Sequence, residues 1–190
     1  MSILGEKEMT DLSLHILDLA HNAFAAQATQ VEITIVENSK TSEMVITIED
    51  NGSGIEESKI NHIKNPFFTS RTTRKIGLGV PLFVQTCEQT EGYATIKSKP
   101  GIKTEITGKL YTNHIDAIPL GEMEETVFLL MAYSPKVNII YKHRYNSKEF
   151  IVSTKQLFDE IEVSLTNYEI VKWIKEYIRE NICQIRGGIR

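Results

Sequence analysis

Apolar and polar residues recur along the chain with two periods, and together these predict a mixed α and β structure. Val31 to Val36 and Met44 to Glu49 alternate at every second residue, as half-buried strands do, with Asn38 to Ser42 as a hairpin-like link. Tyr93 to Ser98 and Thr104 to Leu110 repeat the pattern on either side of Lys99-Pro100-Gly101-Ile102-Lys103. A helix is expected from a cap at Thr10 or Asp11 to about Ala26, with Leu14, Leu17, Asn22 and Ala25 at helical spacing as its stripe. Another should run from about Leu78 to Thr90; Pro81 is tolerated in its first turn and Gly92 stops it.

After His114 the pattern changes. Gly121 to Ala132 reads as a helix, Val137 to Tyr145 and Glu149 to Ser153 as a hairpin through Asn146-Ser147, Thr154 to Ile161 as a capped helix, and Asn167 to about Cys183 as a long amphipathic one. Here His143 and Arg144 are expected as a surface pair, Trp173 as a core anchor, and Arg186 to Arg190 as a frayed tail. The reading divides the chain into residues 1–112 and a small α+β annex, 113–190, suited to docking or to forming a homodimer.

Composition narrows the function classes. At 190 residues the chain can bury one ordinary core, or one core plus a small annex, and a net charge of −4 argues against a general nucleic-acid binder. No apolar run approaches the ~20 residues of a membrane span, and the longest, Thr126 to Ala132, is far too short. The N-terminus lacks the basic-then-apolar order of a secretion signal, so a cytoplasmic setting is expected. Cys87 and Cys183 have no partner ligand at metal spacing and read as reduced thiols.

Three blocks carry chemistry. Asp18 and Asn22 are four residues apart, hence one turn apart on a single helix face. The second predicted strand delivers Asp50 into Asn51-Gly52-Ser53-Gly54, and Gly77-Leu78-Gly79 opens a helix after Asn65-Pro66-Phe67-Phe68. Glycines permit close backbone approach, and amides at a glycine-bounded helix start can cradle phosphates.

In this order, from about Leu12 to about Leu110, the blocks resemble the gyrase, heat-shock chaperone, histidine-kinase and mismatch-repair ATPase superfamily. The resemblance implies an α+β fold, the two-layer α/β sandwich that binds ATP, and assigns roles. Asn22 would hold Mg²⁺ through its side-chain oxygen. Asp50 would accept from the adenine amino group beside Gly52 and Gly54, with Ile55, Ala26 and Ile48 as apolar walls. Thr104, after Gly101, would hold a water against adenine. Gly77, Leu78 and Gly79 would wrap the phosphates, with Arg71, Arg74 or Lys75 neutralising the γ-phosphate from a short lid.

Asp18 stands where hydrolysing relatives carry a glutamate base, and it is one methylene shorter. A carboxylate there leans toward a hydroxyl or water as acceptor, whereas Phe67-Phe68 with Gly77 to Gly79 leans toward histidine kinases; the acceptor stays open. His15 and His21 read as structural. The expectation is a stand-alone Mg-ATP module that phosphorylates a separate protein or hydrolyses ATP to ADP, or alternatively an ATP-gated protein-binding switch with little turnover.

Overall fold

Six alternating segments become strands: β1 Gln30–Asn38, β2 Glu43–Asp50, β3 Tyr93–Lys99, β4 Lys103–Tyr111, β5 Asn138–Tyr145 and β6 Lys148–Ser153. They form one sheet in the order β3-β4-β2-β1-β5-β6, antiparallel throughout except for the parallel pair β1 and β5. The structure, a computed structural model, describes residues 11–63, 79–159 and 168–188. Its helices are α1 Leu12–Ala25, α2 Glu57–Ile63, α3 Gly79–Gln89, α4 Met123–Tyr133, α5 Thr154–Asp159 and α6 Tyr168–Ile185.

Period-two alternation gives the sheet a dry face and a wet one. On the dry face Ile96, Ile106, Ile48, Ile33, Tyr141 and Val152 are successive register partners in a row that crosses all six strands. Helices α1, α3, α4 and α6 bury their apolar sides in the same core. On the wet face Lys142 pairs with Glu32 at 2.7 Å and Lys103 with Glu49 at 2.8 Å. This is the two-layer sandwich the resemblance implied. The hairpin of β5 and β6 extends the sheet beside β1, so sheet pairing crosses the expected boundary at residues 112 and 113.

Several expectations are corrected. In α1, capped by the Asp11 carboxylate accepting from the Leu14 N–H, the buried stripe is Leu12, Ile16, Leu19, Ala20 and Ala23. Leu14 and Leu17 are half-buried and Ala25 is exposed, because α1 turns its other side to β1, β2, α3 and α4. Helix α2 was not anticipated; its seven residues carry no apolar stripe long enough to read. In α4 the start moves to Met123, since Gly121 takes a left-handed φ of 83°.

Trp173 is 47% exposed and stacks on Tyr177, while Ile174, Ile178, Ile182 and Ile185 form the buried stripe of α6. His143 is fully buried, not on the surface: β5 turns it to the dry face, where Nε2 meets Glu37 Oε1 at 2.6 Å and Nδ1 meets the Tyr141 hydroxyl at 2.7 Å. The expected frayed tail is tied down as far as Gly188. Arg186 donates twice to the Glu37 carboxylate, at 2.9 and 2.8 Å, and the Gly188 N–H closes on the Cys183 carbonyl. Among the described residues no helix is long and apolar enough to cross a membrane.

Candidate functional site

The contacts between α1 and α3 run in opposite directions along the two helices. His15 Nε2 lies 3.2 Å from Thr86 Oγ1 and its ring packs on Phe83, while Asp18, one turn later, faces Gly79 at the first position of α3. The Asp18 carboxylate fills the space a side chain at Gly79 would occupy: an added Cβ would lie 1.8 Å from its Oδ2. Asn22 follows Asp18 by one turn of α1. Its Nδ2 is buried without a hydrogen-bond partner, a condition that costs roughly 1–3 kcal/mol. His15 Nδ1 is the other such atom among the described residues, and burial lowers the pKa of that ring despite nearby Asp11 and Asp18.

Asp50 ends β2 on the dry face, level with Val31 of β1 and Thr104 of β4. It is 8% exposed, and its Oδ1 accepts the Gly52 N–H at 2.8 Å. Burial raises its pKa, with Glu49 adding to the rise and the Gly52 N–H opposing it. The turn after Asp50 is clamped on both sides. A Cβ at Gly52 would lie 2.7 Å from the Ala26 carbonyl oxygen, and one at Gly54, where φ is 67°, 2.4 Å from that of Lys99. The Ser53 N–H donates to Ala26 at 2.9 Å, and the Gly101 N–H donates to Ser53 at 2.8 Å.

Ala26 follows Asn22 by one turn, so the C-terminal end of α1 joins two groups of expected residues. On one side stand Asp18, Asn22 and Gly79; on the other, Asp50, Gly52, Gly54, Ile55 and Thr104. Gly77, Leu78, Arg71 and Lys75, together with Phe67 and Phe68, lie outside the described residues. Two further residues hold this turn in place. Asn51 Oδ1 accepts the N–H groups of Thr29 and Gln30, both at 2.9 Å, tying the loop before β1 to the glycine turn. Ser98 Oγ accepts the Ile55 N–H at 2.8 Å. The position of Asn51 between Asp50 and Gly52 was the available signal for the first; Ser98 had none, since it looks like any strand serine.

Chemically, the arrangement offers a buried carboxylate acceptor beside bare backbone, an unpaired amide, and a second carboxylate against a helix start. Residues 8–113 match the family described as histidine kinase-, DNA gyrase B-, and HSP90-like ATPase. The chain is 31% identical over 80 residues to the C4-dicarboxylate transport sensor protein DctB of Pseudomonas aeruginosa, covering 42% of this chain and 13% of that protein. To sporulation kinase C of Bacillus subtilis it is 26% identical over 85 residues, 45% of this chain and 20% of the kinase. It therefore spans a fifth or less of the length of these relatives. Because the matched segment takes in more than half of the chain and every strand and helix from α1 to β4, the chain belongs to the histidine kinase-, DNA gyrase B-, and HSP90-like ATPase family, whose ATPase domain implies ATP binding.

Proposed function

We propose that the chain is a Mg-ATP-dependent catalytic module that works in the cytoplasm and passes the γ-phosphate to a separate protein, or to water. The observation that carries this is the buried Asp50 carboxylate, fixed by Gly52 and level with Thr104, joined through the end of α1 to Asn22 and Asp18. Asp50 would accept from the adenine amino group, with Ile55, Ala26 and Ile48 as walls. The Gly77-Leu78-Gly79 amides would hold phosphate, with Arg71 and Lys75 neutralising it.

The donor set suits magnesium. Among the described residues no three His, Cys, Asp or Glu side chains gather into a closed cage, and magnesium keeps several waters and takes phosphate oxygens, so one protein oxygen suffices. Asn22 would supply it. When bound, the ion would offset phosphate charge. Asp18 would take the proton from an attacking hydroxyl or water; a neutral imidazole acceptor would need it far less. Incubation with γ-labelled ATP and candidate partners tests the reading. Label on a partner, or free phosphate, supports it; neither, with nucleotide bound, refutes turnover.

A second reading, an ATP-gated switch that docks a partner through residues 113–190, is favoured by one observation. Tyr133 of α4 stacks on Phe24 of α1 with ring centroids 5.9 Å apart and meets the tilted His21 ring at 5.0 Å, next in sequence to Asn22. The helix proposed to carry nucleotide contacts thus touches the C-terminal part directly. ATP-dependent protease protection of that part without turnover would select this reading.

A further inference from the structure

Ser98 lies at a crossing of three hydrogen bonds whose directions can be deduced. Its Oγ accepts the Ile55 N–H at 2.8 Å, donates to the Lys103 carbonyl at 2.9 Å, and lies 3.0 Å from Thr104 Oγ1. A hydroxyl has one proton. The Lys103 carbonyl can only accept and the Ile55 N–H can only donate, so the Ser98 proton is engaged with Lys103. With Thr104 as donor in the remaining contact, all three bonds are satisfied at once.

This orientation fixes what Thr104 can offer a ligand. With its proton directed at Ser98, only lone pairs remain, and Thr104 stands level with Asp50 on the dry face. Asp50, when ionised, also only accepts. Gly52 takes its Oδ1, and no described protein donor takes its second oxygen. Among the described residues, the Asp50 and Thr104 side chains at this end of the sheet therefore both present acceptors.

We propose that Ser98 is a specificity-determining positioning residue: by holding the Thr104 proton it makes this pocket one that accepts a base with an exocyclic amino group and disfavours a base with a carbonyl there. The proposal rests on the adenine-nucleotide reading above and deepens it. A donor-poor pocket pairs with both N–H bonds of an amino group, whereas a carbonyl oxygen meets lone pairs and stays unpaired.

ATP and ITP differ in this part of the base, an amino group against a carbonyl, so calorimetric titration of both into the whole protein is the test. Wild type should prefer ATP. Ser98→Ala frees the Thr104 hydroxyl to rotate and donate, and should lower that preference by about tenfold, the worth of one hydrogen bond, chiefly through tighter ITP binding. Ser98→Thr keeps a hydroxyl and should restore the preference. Thr104→Val, which leaves the Ser98–Ile55 bond intact, should also lower it and serves if Ser98→Ala does not fold. An unchanged ATP-to-ITP ratio in these variants, or equal weakening of both nucleotides, overturns the role of Ser98 while leaving the nucleotide site standing. A wild type that binds neither nucleotide overturns the adenine-nucleotide reading itself.

Discussion

The carboxylate of Asp18 rests on the Cα of Gly79, so closely that a Cβ there would lie 1.8 Å from Oδ2 and 2.8 Å from the carboxyl carbon. Gly79→Ala must therefore move Asp18. Its side chain can rotate away and alanine favours a helix by up to ~1 kcal/mol over glycine, so stability should change little. As the proposed base, Asp18 misplaced by about 1 Å can lose on the order of 10² in rate. The expected result is near-normal thermal melting with turnover about 10²-fold down; equal turnover in both proteins would show that the placement of Asp18 is immaterial.

Asp50 predicts a pH dependence. Burial raises its carboxyl pKa, so the anion proposed to accept from the adenine amino group is lost, as pH falls, earlier than at an exposed carboxylate. The folded chain holds this proton more firmly than the unfolded one. Ionisation therefore costs stability as pH rises through the folded value, opposite to a salt-bridged carboxylate. ATP affinity measured by calorimetry should drop on acidification. Asp50→Asn should bind ATP more weakly by roughly 1.5–3 kcal/mol and lack that step; an identical pH profile in the variant would remove Asp50 from the site.

Asn22 should show stability and function in opposition. Removing its unpaired buried amide relieves a cost of about 1–3 kcal/mol and installs a better helix former. Asn22→Ala is thus expected to melt higher than wild type without ligand, yet to bind Mg-ATP more weakly while metal-free ATP binds almost as before. Equal loss with and without magnesium would make Asn22 structural.

How far the sequence showed all this depended on what kind of signal each residue left. Strands β1 to β4 were legible because one face is dry and the other wet, so each residue's character reports its side. Asp50 was legible because glycines follow it directly. His143 was not: a histidine and an arginine in succession look solvated, and nothing local reveals that Glu37, 106 residues earlier, turns inward to meet the ring. Trp173 misled in the reverse sense, since an aromatic on an amphipathic helix suggests core while the isoleucines one turn apart already filled it. The Thr104 proton lay beyond sequence altogether, because it depends on which carbonyl Ser98 meets.

The Glu37 cluster should anchor α6. Burial alone would raise the Glu37 pKa, but the hydrogen bond from His143, with the charge and hydrogen bonds of Arg186, more than offsets it and holds the carboxyl below its usual range. A carboxylate depressed in the folded state stabilises above its unfolded pKa, and that contribution is lost as pH falls through the folded value. Removing one member of a buried ion pair typically costs 3–5 kcal/mol. Arg186→Ala should lower stability in urea by about 3 kcal/mol at neutral pH, with the difference from wild type shrinking in acid. A difference that persists unchanged in acid would mean Arg186 acts through packing alone.

Asp18 separates the chemical alternatives. As a general base it should be dispensable for binding and needed for transfer: Asp18→Asn keeps the shape against Gly79 but cannot take a proton, and phosphate release or partner phosphorylation should fall by about 10²-fold or more at unchanged ATP affinity. Transfer to a neutral imidazole would leave the rate nearly intact, because that nucleophile has no proton to surrender on attack. Labelled partner should then also be tested for the acid lability that distinguishes phosphohistidine from phosphoserine. Acid-stable label combined with a rate indifferent to Asp18→Asn would be incompatible with Asp18 as the base for a hydroxyl acceptor. The proposed nucleotide site would be untouched by that outcome, since Asp50, Gly52 and Thr104 are held by the sheet and the glycine turn, not by Asp18.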